Sequence, residues 1–317
     1  MKTLTATVTA SPAAAATTLA PALAATPSKT ILLIHGLWVT PRSWEKFQRH
    51  YEARGYTVLA PAWPGVVGEV EGMKRDASPF HGIGIAEVVA HYTRIIRALP
   101  EQPIIIGHSY GGLITQLLLD RGLGAAGVAI DSVPGKGIPI LPWSTIRSLI
   151  PALINPGHYR RTFLFTARQF WNVFANTLSE SDARAAYDRY AISAPGRAIF
   201  QAALSNVTPG SLATIDYRNP RRAPLLVIGG EKDVIMPAAL SRKIFRKHQA
   251  SPARTAYKEF AGRSHFLVGE QGWEEVADYA LTWAETQLSS ASAAPARIAT
   301  TIRQRAALPL AAVSAAA

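Results

Sequence analysis

From residue 30 onward the chain alternates short, mainly apolar runs with longer amphipathic ones. The apolar runs are Ile31–Ile34, Tyr56–Ala60, Pro103–Gly107, Ala126–Ile130, Leu225–Gly229 and, more weakly, Thr255–Phe260. Apolar runs this short, bounded by Gly, Pro or Asp, read as strands buried on both faces, the mark of a parallel sheet. Between them the spacing predicts helices over Ser43–Arg54, Ile85–Leu99 and Leu113–Arg121, and another from near Trp273. Gly55 and Pro100 stop the first two. Residues 61–82, rich in Pro and Gly, read as a long loop. Strands alternating with helices predict an α/β class with a mostly parallel, doubly wound sheet covered on both faces.

Between Val133 and Arg222 no clear strand pattern appears. The spacing there predicts helices near Thr145–Ile154, Arg161–Ala175, Ser179–Tyr190 and Arg197–Ser205. A helical block inserted after one strand predicts a cap over the strands' carboxyl ends, where such sheets bind ligands. The expected organisation is a core of residues 29–132 and 223–288 with a helical cap, residues 133–222, inserted in it. Prolines at 134, 139, 142, 151 and 156 suggest a stiff entry to that cap. The Ala-rich stretches 1–28 and 289–317 read as poorly ordered tails.

Bulk composition narrows the possibilities further. The chain has 317 residues, 48% of them hydrophobic and 17% charged, so a large core can be buried. It has no cysteine, which excludes disulfides, thiolate metal sites and a cysteine nucleophile. The formal charge is +12, but Lys and Arg are scattered, with the densest pairs at Arg160–Arg161 and Arg221–Arg222. Nucleic-acid binding is therefore not expected. No run approaches the ~20 apolar residues of a membrane span. Lys2 and the small residues around Ala22-Leu23-Ala24 give a weak export signal, but Thr, Ser and Pro interrupt every apolar run there. A cytoplasmic location is expected, with export through that weak signal as the alternative.

The chemistry concentrates in Gly107-His108-Ser109-Tyr110-Gly111, which lies between an apolar strand and a helix. A serine there must sit on a very tight turn to project its hydroxyl, and Gly107 and Gly111 remove the collisions that side chains would cause. The helix after it points its amino end at the reacting centre and favours negative charge. Serine needs a base, and His265, in a loop late in the chain, is the candidate. His50, His91, His158 and His248 lie in helix-like or polar settings and read as surface residues. The base needs a carboxylate to set its tautomer. Asp233 follows the strand Leu225–Gly229 and gives the order Ser, Asp, His. Asp131, at the end of the strand after the nucleophile strand, is the rival acid. Oxyanion donors are expected from the backbone N–H groups of Tyr110 and Leu37, with Gly36 in the same loop and His35 holding that loop by hydrogen bonding.

This combination resembles the α/β-hydrolase superfamily, in its serine-nucleophile, esterase- and lipase-like branch with a helical cap. The resemblance runs from about residue 30 to 288. It rests on His35-Gly36, the Gly107–Gly111 elbow, the Asp233 loop and the His265 loop, in family order. The serine excludes branches that use aspartate or cysteine as nucleophile. The resemblance implies catalysis without metal or organic cofactor, on a small-molecule carboxylic ester, lactone or thioester. The alternatives sharing the same triad are perhydrolysis or haloperoxidation, acyl transfer and carbon–carbon bond hydrolysis; a non-catalytic binding protein is a more remote one. Trp38, His108, Phe170, Trp171 and Phe266 are the candidates for lining the substrate pocket.

Overall fold

The computed structural model describes residues 28–66, 68–139 and 142–306, with side chains described up to 290. The chain opens on β1 (Thr30–Ile34), a 3-10 turn at Pro41–Trp44, α1 (Glu45–Glu52) and β2 (Thr57–Leu59). The stretch expected as a loop holds α2 (Val70–Arg75) and a 3-10 turn at Ser78–Phe80. Then come α3 (Ile85–Arg97), β3 (Ile104–His108), α4 (Tyr110–Asp120) and β4 (Ala126–Ile130). The cap follows: α5 (Trp143–Leu153), a 3-10 turn at Pro156–Arg160, β5 (Thr162–Phe163), α6 (Ala167–Phe174), α7 (Glu180–Tyr190), β6 (Ala194–Pro195) and α8 (Gly196–Ala203). The chain returns to the core with β7 (Leu225–Gly230), α9 (Ala238–His248), β8 (Thr255–Phe260) and α10 (Trp273–Ala306).

Six strands form one parallel sheet in the order β2-β1-β3-β4-β7-β8. The register sets Leu32 beside Ile105, Ile105 beside Gly127, and Val128 beside Leu226. Every residue of β1, β3, β4 and β7 is buried, which is why their sequences are apolar without alternation. The edge strand β8 is only partly buried over Thr255–Glu259, and this explains its weaker pattern.

The strand order reverses at β1. The chain passes from β1 outward to β2, then crosses back to lay β3 on the other side of β1. Loops leaving the carboxyl ends of β1 and β3 therefore diverge to opposite faces and open a crevice between them. The loop at residues 35–40 and the turn at Ser109 are those two loops.

Three sequence expectations need correction. The cap is not purely helical, because the helix expected over Arg161–Ala175 begins only at Ala167. Thr162–Phe163 instead pair antiparallel with Ala194–Pro195. The Thr166 hydroxyl accepts from Gln169 N–H at 3.2 Å and the Gln169 side chain returns to Thr166 N–H, so a capping box starts the helix there. Second, the final helix runs on to Ala306, past residue 288 where a tail was expected. The same Ala-rich composition is a strong helix former. Third, β2 is three residues long rather than five. Residues 1–27 and 307–317, to which the remaining tail expectations apply, lie outside the described residues. No described helix is long and apolar enough to cross a membrane.

Candidate active site

Ser109 follows β3 and is the N-cap of α4, with φ 57° and ψ −119°, a conformation L-residues rarely hold. Tight packing leaves it no alternative. A Cβ on Gly107 would fall 2.1 Å from the Gly111 carbonyl oxygen, and one on Gly111 would fall 2.1 Å from that of Ile34. Backbone hydrogen bonds hold the turn: Ser109 N–H donates to Ile130 O at 2.8 Å, and Ser109 O accepts from Gly112 and Val133 N–H.

The loop after β1 closes on this turn. A Cβ on Gly36 would lie 2.8 Å from Ser109 Cβ, so only glycine lets the loop come so near. His35 Nδ1 donates to Gly36 O at 2.9 Å, and its Nε2 accepts from Trp63 N–H at 3.3 Å. The ring stacks on Trp63 with centroids 5.2 Å apart. Burial pushes the His35 pKa down to about 4, so the ring is neutral, as these bonds require. Leu37 and Tyr110 both line the small chamber above Ser109. Tyr110 is the first residue of α4, so its N–H has no acceptor within the helix.

Asp233 and His265 meet beside the elbow, where the His265 ring lies 4.7 Å from that of His108. His265 Nδ1 lies 2.6 Å from Asp233 Oδ2, with both side chains fully buried. Asp233 Oδ1 accepts from Ile235 and Met236 N–H, each at 2.8 Å. With the carboxylate so held, Nδ1 carries the imidazole proton and Nε2 is left as the basic nitrogen. That Nε2 is buried and has no hydrogen-bond partner. Asp233 and His265 are thus joined, while His265 and Ser109 are not hydrogen-bonded in this state. Hydrogen bonds of this kind are often long before substrate binds. The loop carrying His265 is anchored by buried Glu270, which accepts from Ser264 N–H at 3.1 Å and Oγ at 2.8 Å. The Thr177 hydroxyl donates to the same carboxylate from the cap.

Asp131 sits beside this pair with a different bonding pattern. Its Oδ1 accepts from Gly230 N–H at 2.7 Å. Burial, and then the Asp233 charge, hold its carboxyl well above the usual carboxylate range. The His265 nitrogen is bonded to Asp233, not to Asp131. Among the described residues, His108, Asp131 and His265 offer ligand atoms within 4.8 Å of one another, the grouping nearest to a metal site. Ligands bind metal in deprotonated form. Burial disfavours that form of Asp131, and His265 Nδ1 is tied to Asp233.

The chamber over Ser109 is lined by Leu37, Trp38, Tyr110, Val133, Leu149, Ile199, Ala202, Ala203, Ile235 and Met236. Of the expected pocket residues only Trp38 is among them. It also donates from Nε1 to Phe163 O at 3.1 Å, tying the chamber wall to the cap. His108 instead lies behind the site and donates from Nε2 to His265 O at 2.8 Å. Phe170 is fully buried and stacks on Phe174, whose ring packs edge-on against His265 at 4.7 Å. These phenylalanines seal the histidine from the cap side rather than facing substrate. Trp171 is spent on a hydrogen bond to Leu178 O. Phe266 lines a separate polar cleft of about 880 Å³ between α7 and residues 262–272, which contains neither Ser109 nor His265. That cleft is larger than the chamber, but it holds none of the chemistry.

Sequence reasoning missed Ile235 and Met236, although their place two and three residues after Asp233 puts them at the site once Asp233 is there. It also missed the stripe Ile199, Ala202 and Ala203, a helical i, i+3, i+4 face of α8. His248 is the opposite error, being buried rather than on the surface. It bonds from Nε2 to Gln116 Oε1 at 3.0 Å, and burial, with nearby Arg222, pushes its pKa down to about 3.

Residues 31–279 match the Alpha/beta hydrolase family. The chain belongs to that family. No curated protein matches the sequence. Among solved structures, a pyrethroid hydrolase from Sphingobium faniae JZ-2 is 19% identical with a TM-score of 0.54, over 81% of this chain and 97% of that one. A monoacylglycerol lipase from Paleococcus ferrophilus is 21% identical with a TM-score of 0.55, over 83% and 96%. An Arabidopsis methylesterase is 13% identical with a TM-score of 0.56, over 81% and 99%. At these identities the likeness is one of fold alone.

Proposed function

We propose that the protein cleaves a carboxylic ester, or a related lactone or thioester, through an acyl-enzyme. The observation that carries this reading is the buried Asp233–His265 pair, whose Nε2 has no hydrogen-bond partner and whose ring lies 4.7 Å from that of His108, the residue before a serine held on a strained turn. Structural neighbours named as a pyrethroid hydrolase, a monoacylglycerol lipase and a methylesterase support it.

Ser109 Oγ attacks the carbonyl carbon as its proton passes to His265 Nε2. The oxygen left negative is held by the N–H groups of Leu37 and Tyr110, each contributing ~3–4 kcal/mol in the transition state. His265 then gives the proton to the departing alkoxide. Water enters, loses a proton to Nε2 and attacks the acyl-serine, and the proton returns to Ser109 as the acid leaves. Asp233 holds the Nδ1 proton throughout and stabilises the imidazolium. The apolar chamber favours an apolar substrate.

The test is ester turnover by Ser109→Ala, which is expected to fall about a million-fold. Near-normal turnover by that variant would overturn the reading.

A further inference from the structure

The chamber over Ser109 has a volume of about 20 Å³. That is room for roughly one water molecule, so no ester enters until a wall moves. Directly outside it lies a groove of about 400 Å³ lined by Ile146, Leu149, Ile150, Leu153, Ile154 and Ala203. A volume of ~300–1,000 Å³ is typical of small-molecule sites. Leu149 and Ala203 line both spaces, so one layer of side chains separates groove from chamber.

The groove's chemistry is uniform. None of its six side chains carries a charge or a hydrogen-bonding group, so it recognises hydrocarbon. Along α5 and its cap, Ile146, Ile150 and Ile154 are 38%, 42% and 75% exposed. The i, i+4, i+8 spacing puts all three on one stripe of the helix. Single exposed apolar residues are ordinary, but a contiguous row beside a cavity marks a binding surface. The helix is also weakened at this point. Pro151 lies inside α5 and offers no N–H to the carbonyl of Arg147. The wall that groove and chamber share therefore includes a leucine on a helix that lacks one backbone hydrogen bond.

We propose that this groove binds the linear hydrocarbon arm of the substrate, with Leu149 as the gate through which the ester carbonyl reaches Ser109. The proposal rests on the ester-hydrolase reading and narrows it to esters with a flexible alkyl arm. The occupant is a single chain rather than a lipid surface, because the groove shares two wall residues, Leu149 and Ala203, with the chamber over the nucleophile.

The test uses two homologous series, p-nitrophenyl alkanoates from acetate to decanoate and alkyl acetates from methyl to decyl. Both are measured below the concentration at which each substrate forms micelles. In at least one series kcat/KM is expected to rise by about fourfold per methylene over the first several carbons, then level off as the chain outgrows the groove. Ile154→Asp, at an exposed position that folding tolerates, and Ile150→Asp should cut the long-to-short preference at least tenfold. Val207→Asp, an exposed apolar position outside both linings, should leave that preference as it is. A flat length profile in both series with acetate still turned over, or a profile the groove variants do not change, would overturn the groove and spare the hydrolase. A rise seen only when the measurement is repeated above that concentration would assign the face to a lipid surface and also overturn the proposal. Absence of any ester turnover together with absence of Ser109 labelling by a fluorophosphonate would overturn both readings.

Discussion

Acidification should unfold this protein earlier than its carboxylates alone would dictate, because two buried histidines resist protonation. In the unfolded chain a histidine titrates near 6.5. In the folded protein His248 is pushed down to about 3 and His35 to about 4. Between these values and 6.5 the unfolded chain takes up protons that the folded one does not, so stability falls as pH falls. The contribution is complete above pH 6.5 and is lost progressively below it. At roughly 1.4 kcal/mol per pH unit, the loss at pH 4 is about 3 kcal/mol for each ring. That is a large part of the ~5–15 kcal/mol by which domains are stable. The informative substitution is His248→Gln, which keeps a polar group opposite Gln116 and removes the titration. It also leaves the crevice alone, whereas His35 holds the oxyanion loop. Urea unfolding monitored by tryptophan fluorescence at pH 7, 6, 5 and 4 gives the stability at each pH. His248→Gln should lose about 3 kcal/mol less than the wild type between pH 7 and 4. Parallel curves for the two proteins would refute the reasoning and mean that His248 is accessible to protons in the folded state.

Three further substitutions test the site. Asp233→Asn should lower kcat by about ten-thousand-fold through the wrong imidazole tautomer, measured with a p-nitrophenyl ester. Asp131→Asn, which leaves the Asp233–His265 hydrogen bond in place, should keep kcat within about tenfold, and the reverse ranking would make Asp131 the acid. Gly107→Ala must displace backbone, since its Cβ would sit 2.1 Å from the Gly111 carbonyl oxygen. That variant should lose ester turnover entirely, and retention of wild-type kcat would show that the turn has slack.

The parts of the site that were legible in the sequence share a physical cause. Strands buried on both faces announce themselves as apolar runs, and the elbow needs glycine at two positions where any side chain collides with backbone. Ser109, Asp233 and His265 stand at the ends of such strands, so their position in the fold followed from the strands. The pocket wall was not legible. Phe170 and Trp171 are large aromatic residues, yet size says nothing about which way α6 turns. Its Phe170–Phe174 face packs down on His265, and the chamber is lined instead by small and aliphatic side chains of α5 and α8. His248 was misread because a basic helix end, Arg246-Lys247-His248, looks solvated in sequence, while tertiary packing turns only the last of these residues inward. The continuation of α10 was missed because an Ala-rich composition suits both a tail and a helix.

The central claim is that Ser109 becomes acylated with help from His265. Mass spectrometry of protein quenched in acid within milliseconds of mixing with a p-nitrophenyl ester tests it directly. One added acyl group is expected on the peptide containing Ser109 in the wild type, and none in Ser109→Ala or His265→Ala. Turnover by the wild type without acylation of Ser109, or with the acyl group on another residue, would contradict it.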